Sequence, residues 1–225
     1  MKILVAGDSY IYGQGCSDRD HNWGNPREIG PSNYCWPSLL QQHYPTLDVE
    51  NYGFPGTDNV NIAKQVHQHL QQDIKLIVFC STFISRAPAR YPGAEDDFTI
   101  TISPHWVTGL SEHGFDDSVT KYYKHLYNDL LGLDILTNSL MSAYGAAKLI
   151  GADFLWTRPV RHQPYLDNQT IDRLGDCEFK STSDIEYTAD ELAHCAHPNN
   201  DGQARYFNEI ITPLIDNFLQ EHNEH

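Results

Sequence analysis

Short apolar segments alternate with segments of helical periodicity along the first third of the chain. Residues 3–6 and 74–80 are nearly all apolar, which is typical of strands buried on both faces of a parallel sheet. Residues 47–52 predict another strand. Helices are predicted over residues 36–44 and after the capping residues 58–59, where apolar side chains recur at helical spacing. Repeated strand–helix–strand units predict right-handed crossovers and an α/β fold with a parallel sheet.

A long polar segment, residues 81–117, interrupts this rhythm. It contains an alternating stretch at residues 98–103, which predicts a hairpin-bearing flap beside the sheet. Beyond it, helices are predicted over residues 118–131 and 135–150, followed by a strand over residues 154–156.

The last part of the chain contains less periodic signal. Residues 157–189 are polar and irregular, so the pattern predicts no further strand there, and a final helix is predicted over about residues 201–219. Neither an internal repeat nor a linker is visible. We therefore expect residues 1–225 to form a single domain that carries the flap at about residues 81–117.

Composition narrows the possible partners. Thirty acidic against fifteen basic residues give a net charge of −15, which argues against nucleic acid as a partner. No apolar run reaches the roughly 18 residues of a membrane span, so we expect no membrane partner. The chain enters a predicted strand at once, so we also expect no signal peptide. The five cysteines show no CxxC spacing, which favours a reduced chain, cytoplasmic or virion-associated.

Residues suited to acyl transfer stand where predicted strands end. Ser9, Gly56 and Thr82 follow the first, second and third strands, and His197 precedes the final helix. The carboxyl ends of parallel strands open into one crevice. Acyl transfer by serine needs a nucleophile, a histidine base and donors for the oxyanion. The competing interpretations are that Ser9 and Thr82 only cap ordinary turns.

Three short blocks carry a family resemblance. They are Gly-Asp-Ser at residues 7–9, Asn-Tyr-Gly-Phe-Pro-Gly-Thr at residues 51–57 and His-Pro-Asn at residues 197–199. In these blocks the chain resembles the SGNH (GDSL-type) hydrolases. The resemblance implies a flavodoxin-like three-layer α/β/α sandwich with a central parallel sheet, and an esterase or lipase activity without metal or cofactor. It also implies that Ser9 is the nucleophile, that His197 is the base, and that the backbone of Ser9 and Gly56 donates to the oxyanion.

Two positions depart from that family pattern. The family has an oxyanion-donating Asn after its third strand, where this chain has Thr82. The segment Thr-Phe-Ile-Ser-Arg at residues 82–86 resembles a variant of phage-borne members in which Thr takes the Asn place, so Thr82 is expected to complete the oxyanion hole. The family also has Asp three residues before the base, where this chain has His194. Either a Ser–His dyad operates, or an acid such as Asp190 or Glu191 orients the ring.

Other candidate residues allow two interpretations each. Arg86 either pairs with the acidic residues 95–97 or binds an anionic group of the substrate. Tyr91 and Trp106 either form the core of the flap or bind a sugar. His194 and His197 flank a cysteine, but no second cluster completes a zinc site, so we expect no metal.

Two functions follow from these predictions. The first is a serine esterase that hydrolyses small acyl esters, for instance acetyl groups on carbohydrate, with a small-molecule or carbohydrate ester as its partner. The second is a catalytically weak SGNH-like binding or structural module, for instance in a phage particle. The sequence does not specify the oligomeric state.

Overall fold

A computed structural model describes residues 1–19, 26–90, 99–104, 116–157, 174 and 177–223. Its strands are β1 (Lys2–Gly7), β2 (Asp48–Gly53), β3 (Ile74–Cys80), β4 (Ala87–Arg90), β5 (Thr99–Ile102), β6 (Asp153–Thr157) and β7 (Glu178–Phe179). Its helices are α1 (Ser9–Tyr12), α2 (Pro26–Ile29), α3 (Trp36–His43), α4 (Asn59–Gln68), α5 (Asp116–His125), α6 (Asp129–Ile150), α7 (Asn200–Tyr206) and α8 (Thr212–Asn223).

Five strands form the main sheet, in the order β2-β1-β3-β6-β7, and every neighbouring pair is parallel. Counting only these strands along the chain, the order is 2-1-3-4-5, which is that of flavodoxin-like folds. In such sheets ligands bind outside the carboxyl ends of the strands, where the strand order reverses. The reversal lies between β1 and β3.

The layers follow from the alternation of side chains along β1. Leu4 and Ala6 pack against α4 and α6 on one face. Ile3 and Val5 pack against α3 and the C-terminal helices on the other face. All four side chains are fully buried, which explains the unbroken apolar run in the sequence. The predicted three-layer α/β/α sandwich with a central parallel sheet is confirmed.

Three sequence predictions need correction. The main sheet has a fifth strand, β7, within residues 157–189, where the pattern predicted none. It pairs with Trp156 and Thr157 but is only two residues long, too short for a periodic signal. The helix predicted over residues 118–131 ends at His125, and α6 begins earlier than expected because the Asn128 side chain caps it by accepting from the Leu131 N–H. The single final helix is interrupted by a π-helical turn at Phe207–Ile211.

The segment predicted as a flap contributes an antiparallel pair, β4 and β5. Ala87 and Ile102 of this pair form a small apolar cluster with Val119 of α5. The Thr101 hydroxyl donates to Asp58 at 2.7 Å, which ties the pair to the beginning of α4. Tyr91, Trp106 and the acidic residues 95–97 lie outside the described residues.

Among the helices in the described ranges, none combines the length and apolarity needed to cross a membrane.

Candidate active site

Ser9 and His197 are in direct contact at the carboxyl edge of the sheet. The Ser9 Oγ lies 2.8 Å from the His197 Nε2, and Ser9 is 2% exposed. Ser9 is the first residue of α1, immediately after β1. Asp8 caps this helix by accepting from the Tyr10 N–H, and Gly13 ends it in the left-handed conformation.

A tight turn from β1 into α1 places Ser9. A Cβ at Gly7 would come within 2.3 Å of the Ile11 side chain and 2.9 Å of the Cys80 Cβ, so only glycine fits there. Asn51 in β2 donates to the Ile11 carbonyl at 2.9 Å and accepts from the Gly53 N–H at 2.8 Å. The block at residues 51–57 therefore stabilises the turn that carries Ser9 in the block at residues 7–9.

His197 lies in a tightly bonded loop before α7. Its carbonyl accepts from the Ala193 N–H at 2.9 Å, and the Ala196 N–H donates back to the Ala193 carbonyl at 2.9 Å. This closure puts Ala196 at a φ of 59°, in the left-handed region that side chains rarely adopt. The imidazole Nδ1 lies 3.0 Å from the Cys195 carbonyl oxygen, which can only accept, so Nδ1 carries the proton. Nε2 is then free to accept from the Ser9 hydroxyl.

Several contacts hold the His197 loop over α1. A Cβ on Gly15 would lie 2.6 Å from the Pro198 oxygen and 2.8 Å from the His197 oxygen, so the two segments touch through their backbones. The buried Gln203 of α7 donates to the Tyr10 carbonyl at 2.9 Å. The Tyr10 ring packs on the imidazole with centroids 4.8 Å apart.

Burial lowers the pKa of His197 below its ordinary value. The negative charge of Asp8 and the bond to the Cys195 carbonyl oppose this shift, while the nearby Arg86 charge adds to it. The net effect favours the neutral imidazole, which is the form that accepts a proton from serine.

A buried polar network lies beside the Ser–His pair. The Thr82 Oγ1 lies 2.8 Å from the Asp8 Oδ2, and the Arg86 Nη1 donates to Thr82 Oγ1 at 2.7 Å. A carboxylate only accepts, so the single hydroxyl proton of Thr82 points to Asp8. Thr82 was expected to donate to the oxyanion, but in this structure its proton is already bonded to Asp8.

The loop after β2 carries Gly56. Residues 54–57 form a turn closed by the Thr57 N–H and the Phe54 carbonyl, and Gly56 has a φ of 72° at its third position. Among the described residues, the N–H groups of Ser9 and Gly56 donate to no protein acceptor. Both are therefore available to a ligand.

Asn59 joins this loop to the one after β3. Its amide donates to the Thr82 carbonyl at 3.1 Å and accepts from the Thr82 N–H at 2.9 Å. Asn59 is 1% exposed, so these two hydrogen bonds are shielded from water.

None of the alternative orienting residues hydrogen-bonds to the His197 ring. The Glu191 carboxylate accepts from the Thr188 N–H at 2.7 Å and pairs with Arg205 at 3.0 Å. Asp190 and His194 are exposed. In the part of the chain that the structure describes, no carboxylate hydrogen-bonds to the His197 ring. The Cys195 carbonyl takes the place expected for an acid.

The structure places Arg86 beside Asp8. Its pairing with residues 95–97, which lie outside the described residues, and its binding of an anionic substrate group stay predictions. Its guanidinium is buried and faces Asp8, with the Arg86 Nη1 and the Asp8 Oδ2 3.4 Å apart. It therefore interacts with the residue preceding the serine.

No group of three His, Cys, Asp or Glu side chains within the described ranges could hold a metal ion. All five cysteines are free thiols.

Comparison with solved structures identifies the fold. The psychrotrophic esterase EstA from Pseudoalteromonas sp. matches with a TM-score of 0.57 and 14% identity, over 97% of this chain and 98% of that one. A lipolytic protein of the G-D-S-L family from Desulfitobacterium hafniense DCB-2 matches with a TM-score of 0.52 and 12% identity, over 92% and 95%. The chain has the SGNH (GDSL-type) hydrolase fold. No family model and no curated protein matches its sequence.

A third similar structure is LAE5, an α/β hydrolase enzyme from the metagenome of Lake Arreo, with a TM-score of 0.52 and 14% identity over 92% and 91% of the two chains. The family resemblance predicted from the three short blocks is thus confirmed for the SGNH fold. The likeness of residues 82–86 to phage-borne members remains a prediction.

Within the SGNH fold, sequence reasoning missed three residues that build the site. Tyr10 packs on the base, Asn59 joins two loops, and Gln203 anchors α7 to α1. Asn59 and Gln203 are polar but fully buried, and their positions at the start of α4 and on the inner side of α7 gave only weak signals.

Proposed function

We propose that the protein is a serine ester hydrolase in which Ser9 is the nucleophile and His197 the general base. The observation that carries this proposal is the 2.8 Å contact between Ser9 Oγ and His197 Nε2 at the carboxyl edge of the sheet. The esterases and lipolytic proteins among the similar structures support it.

In the proposed reaction, His197 Nε2 takes the Ser9 proton while Oγ attacks the carbonyl carbon of the ester. The carbonyl electrons move to oxygen, where the N–H groups of Ser9 and Gly56 stabilise the negative charge. The tetrahedral intermediate collapses, and the leaving alcohol takes the proton from His197. A water molecule then attacks the acyl-enzyme along the same path, releasing the acid and regenerating Ser9.

The base operates in this scheme as part of a dyad. The Cys195 carbonyl fixes the tautomer and orientation of His197, as the acid of a triad does, but it adds no full negative charge to stabilise the imidazolium. Asp8 supplies negative potential nearby, since its charge raises the His197 pKa against the effect of burial. We expect slower turnover than in an enzyme with a complete triad.

Small acyl esters, such as acetyl groups on carbohydrate, are the substrates that we propose. The burial of the nucleophile supports this choice, because Ser9 is only 2% exposed and a long acyl chain would need more open space around it. A cavity of about 20 Å³ lies nearby and is lined by residues that include Asp8, Tyr10, Ser81, Thr82 and Thr157, but neither Ser9 nor His197 lines it, so it does not define the acyl site.

Labelling with a fluorophosphonate probe, followed by peptide mapping, tests this function. We expect an adduct on Ser9, none in Ser9→Ala, and strongly reduced labelling in His197→Ala. Ser142→Ala is a matched control, because Ser142 Oγ also lies 2.7 Å from a histidine, His67 Nε2, but on the exposed surface. It should label like the wild type.

Hydrolysis of acetyl, butyryl and octanoyl p-nitrophenyl esters then tests the acyl preference. We expect the acetyl ester to have the highest kcat/KM. An unlabelled Ser9 together with no ester hydrolysis would reject the enzyme and favour a binding module with this fold.

A further inference from the structure

One guanidinium nitrogen connects three loops of the site. Arg86 Nη1 lies 3.1 Å from the Thr57 carbonyl, 2.7 Å from Thr82 Oγ1 and 3.4 Å from Asp8 Oδ2. These partners belong to the loops that follow β2, β3 and β1. Arg86 is 8% exposed, so these contacts are shielded from water.

Two of these partners adjoin the proposed oxyanion donors. Asp8 directly precedes Ser9, and Thr57 directly follows Gly56. Asp8 also accepts from the Tyr10 N–H through its other oxygen, so its carboxylate bridges the backbone around Ser9 and the Arg86 side chain. A movement of the guanidinium would therefore shift the backbone on both sides of the oxyanion hole.

We propose that Arg86 is a positioning residue that sets the spacing of the Ser9 and Gly56 N–H groups. This inference rests on the proposed esterase function and extends it to a residue that contacts neither Ser9 nor His197 by a hydrogen bond in the structure. It also gives Thr82 a role. The Thr82 hydroxyl accepts from Arg86 and donates to Asp8, so it connects these two side chains instead of donating to the oxyanion.

The physical reason is that both oxyanion donors identified in the described part of the chain are backbone N–H groups. A side-chain donor can adjust its position by rotation, whereas two backbone N–H groups depend on how their loops are held. Misplacing reacting groups by about 1 Å costs on the order of a hundredfold in rate. Such a loss appears in kcat, because the oxyanion forms after the substrate binds.

Arg86→Gln tests the proposal, since it removes the positive charge and the planar set of guanidinium N–H donors while keeping a polar side chain. We expect kcat for an acetyl ester to fall by roughly ten- to a thousandfold, the range for impaired oxyanion stabilisation, with KM changed less than about threefold. Phosphonylation of Ser9 should slow in parallel, because its P=O group uses the same donors. Arg86→Lys should lie between Arg86→Gln and the wild type, since one amine cannot reproduce the guanidinium geometry.

Arg19→Gln is the matched control. Arg19 is also shielded and donates to the carbonyls of Gly30 and Pro31, at 2.9 and 2.7 Å, and within the described ranges its hydrogen bonds go to residues 18 and 29–31, none of which belongs to the site. It should lower the melting temperature and leave kcat of the folded protein unchanged. Equal losses of kcat in Arg19→Gln and Arg86→Gln would overturn the proposal, because the effect would then be general destabilisation.

Rescue by free guanidinium separates positioning from folding. In Arg86→Ala, millimolar guanidinium should recover part of the lost kcat, whereas methylammonium should not. If Arg86→Gln does not fold, Arg86→Lys decides: a kcat loss above tenfold supports the proposal and an unchanged kcat rejects it. A fully active, folded Arg86→Gln also rejects it. A wild-type protein that neither labels nor hydrolyses esters would instead refute the esterase function.

Discussion

The His197 Nδ1 lies 3.0 Å from the carbonyl oxygen of Cys195, two residues earlier in the same loop. The ring is thus oriented by its own backbone, where a serine triad uses a carboxylate from the same or another segment. The orientation of the His197 ring therefore depends on the conformation of this loop, in which Ala196 has a φ of 59°.

Ala196 gives the first prediction. Ala196→Gly relieves the left-handed strain but adds freedom to the unfolded chain, so we expect the unfolding free energy to change by less than about 1 kcal/mol and kcat to stay within about threefold. Ala196→Val should lower kcat at least tenfold, because a β-branched residue is an outlier at this φ and the loop must shift. Esterase kinetics and thermal unfolding measure both effects. Equal kcat in the two variants would show that the loop conformation does not control the base.

Removing the neighbouring acids gives the second prediction. In Asp190→Asn/Glu191→Gln we expect kcat within about threefold of the wild type, because Glu191 contacts Thr188 and Arg205, away from the ring. The melting temperature should fall slightly as the cap at Thr188 weakens. Steady-state kinetics on an acetyl ester measures the outcome. A hundredfold loss of kcat would mean that an acid orients His197 after all.

The third prediction concerns pH. Because burial lowers the His197 pKa, the acid limb of kcat/KM should have its midpoint below the ordinary histidine value of about 6.5. The unfolded chain then binds a proton to this residue at higher pH than the folded chain does. This residue's contribution therefore makes folding stability fall as the pH drops below about 6.5. NMR titration of the imidazole, with His197→Gln to assign its signal, measures the pKa. A midpoint above 6.5 would contradict the prediction.

Gly15 gives the fourth prediction. In Gly15→Ala the new Cβ would lie within 2.6 to 2.9 Å of backbone and Cβ atoms of His197 and Pro198, so the His197 loop must move. We expect kcat to fall at least tenfold, as for other displacements of a catalytic group. Gly145→Ala in α6 is the control, since its Cβ meets nothing within 4 Å, and it should be slightly more stable and fully active. A fully active Gly15→Ala would show that the protein accommodates the new Cβ beside His197 and Pro198 without moving the His197 ring.

The sequence predicts those parts of the site that depend on local order. Ser9 and Gly56 could be placed because apolar runs and glycine-containing turns mark where strands end. The partner of Thr82 could not, since Asp8 is 74 positions away and meets it only through the pairing of β1 with β3. The contact of the Cys195 carbonyl with His197 could not be predicted either, because every residue has a backbone carbonyl and the sequence does not show which one is used. β7 could not be predicted because a strand of two residues is too short to show an alternation of polar and apolar side chains.

The Ser–His contact spans 188 positions of the chain. A nascent or proteolysed chain that ends before the loop of residue 197 would contain the nucleophile without its base. Gln203 of α7 donates to the Tyr10 carbonyl of α1, so we expect the Ser9–His197 contact to form after the sheet and this outer helix have assembled. During refolding, recovery of Ser9 reactivity should therefore lag behind recovery of secondary structure, which makes the probe a reporter of completed folding.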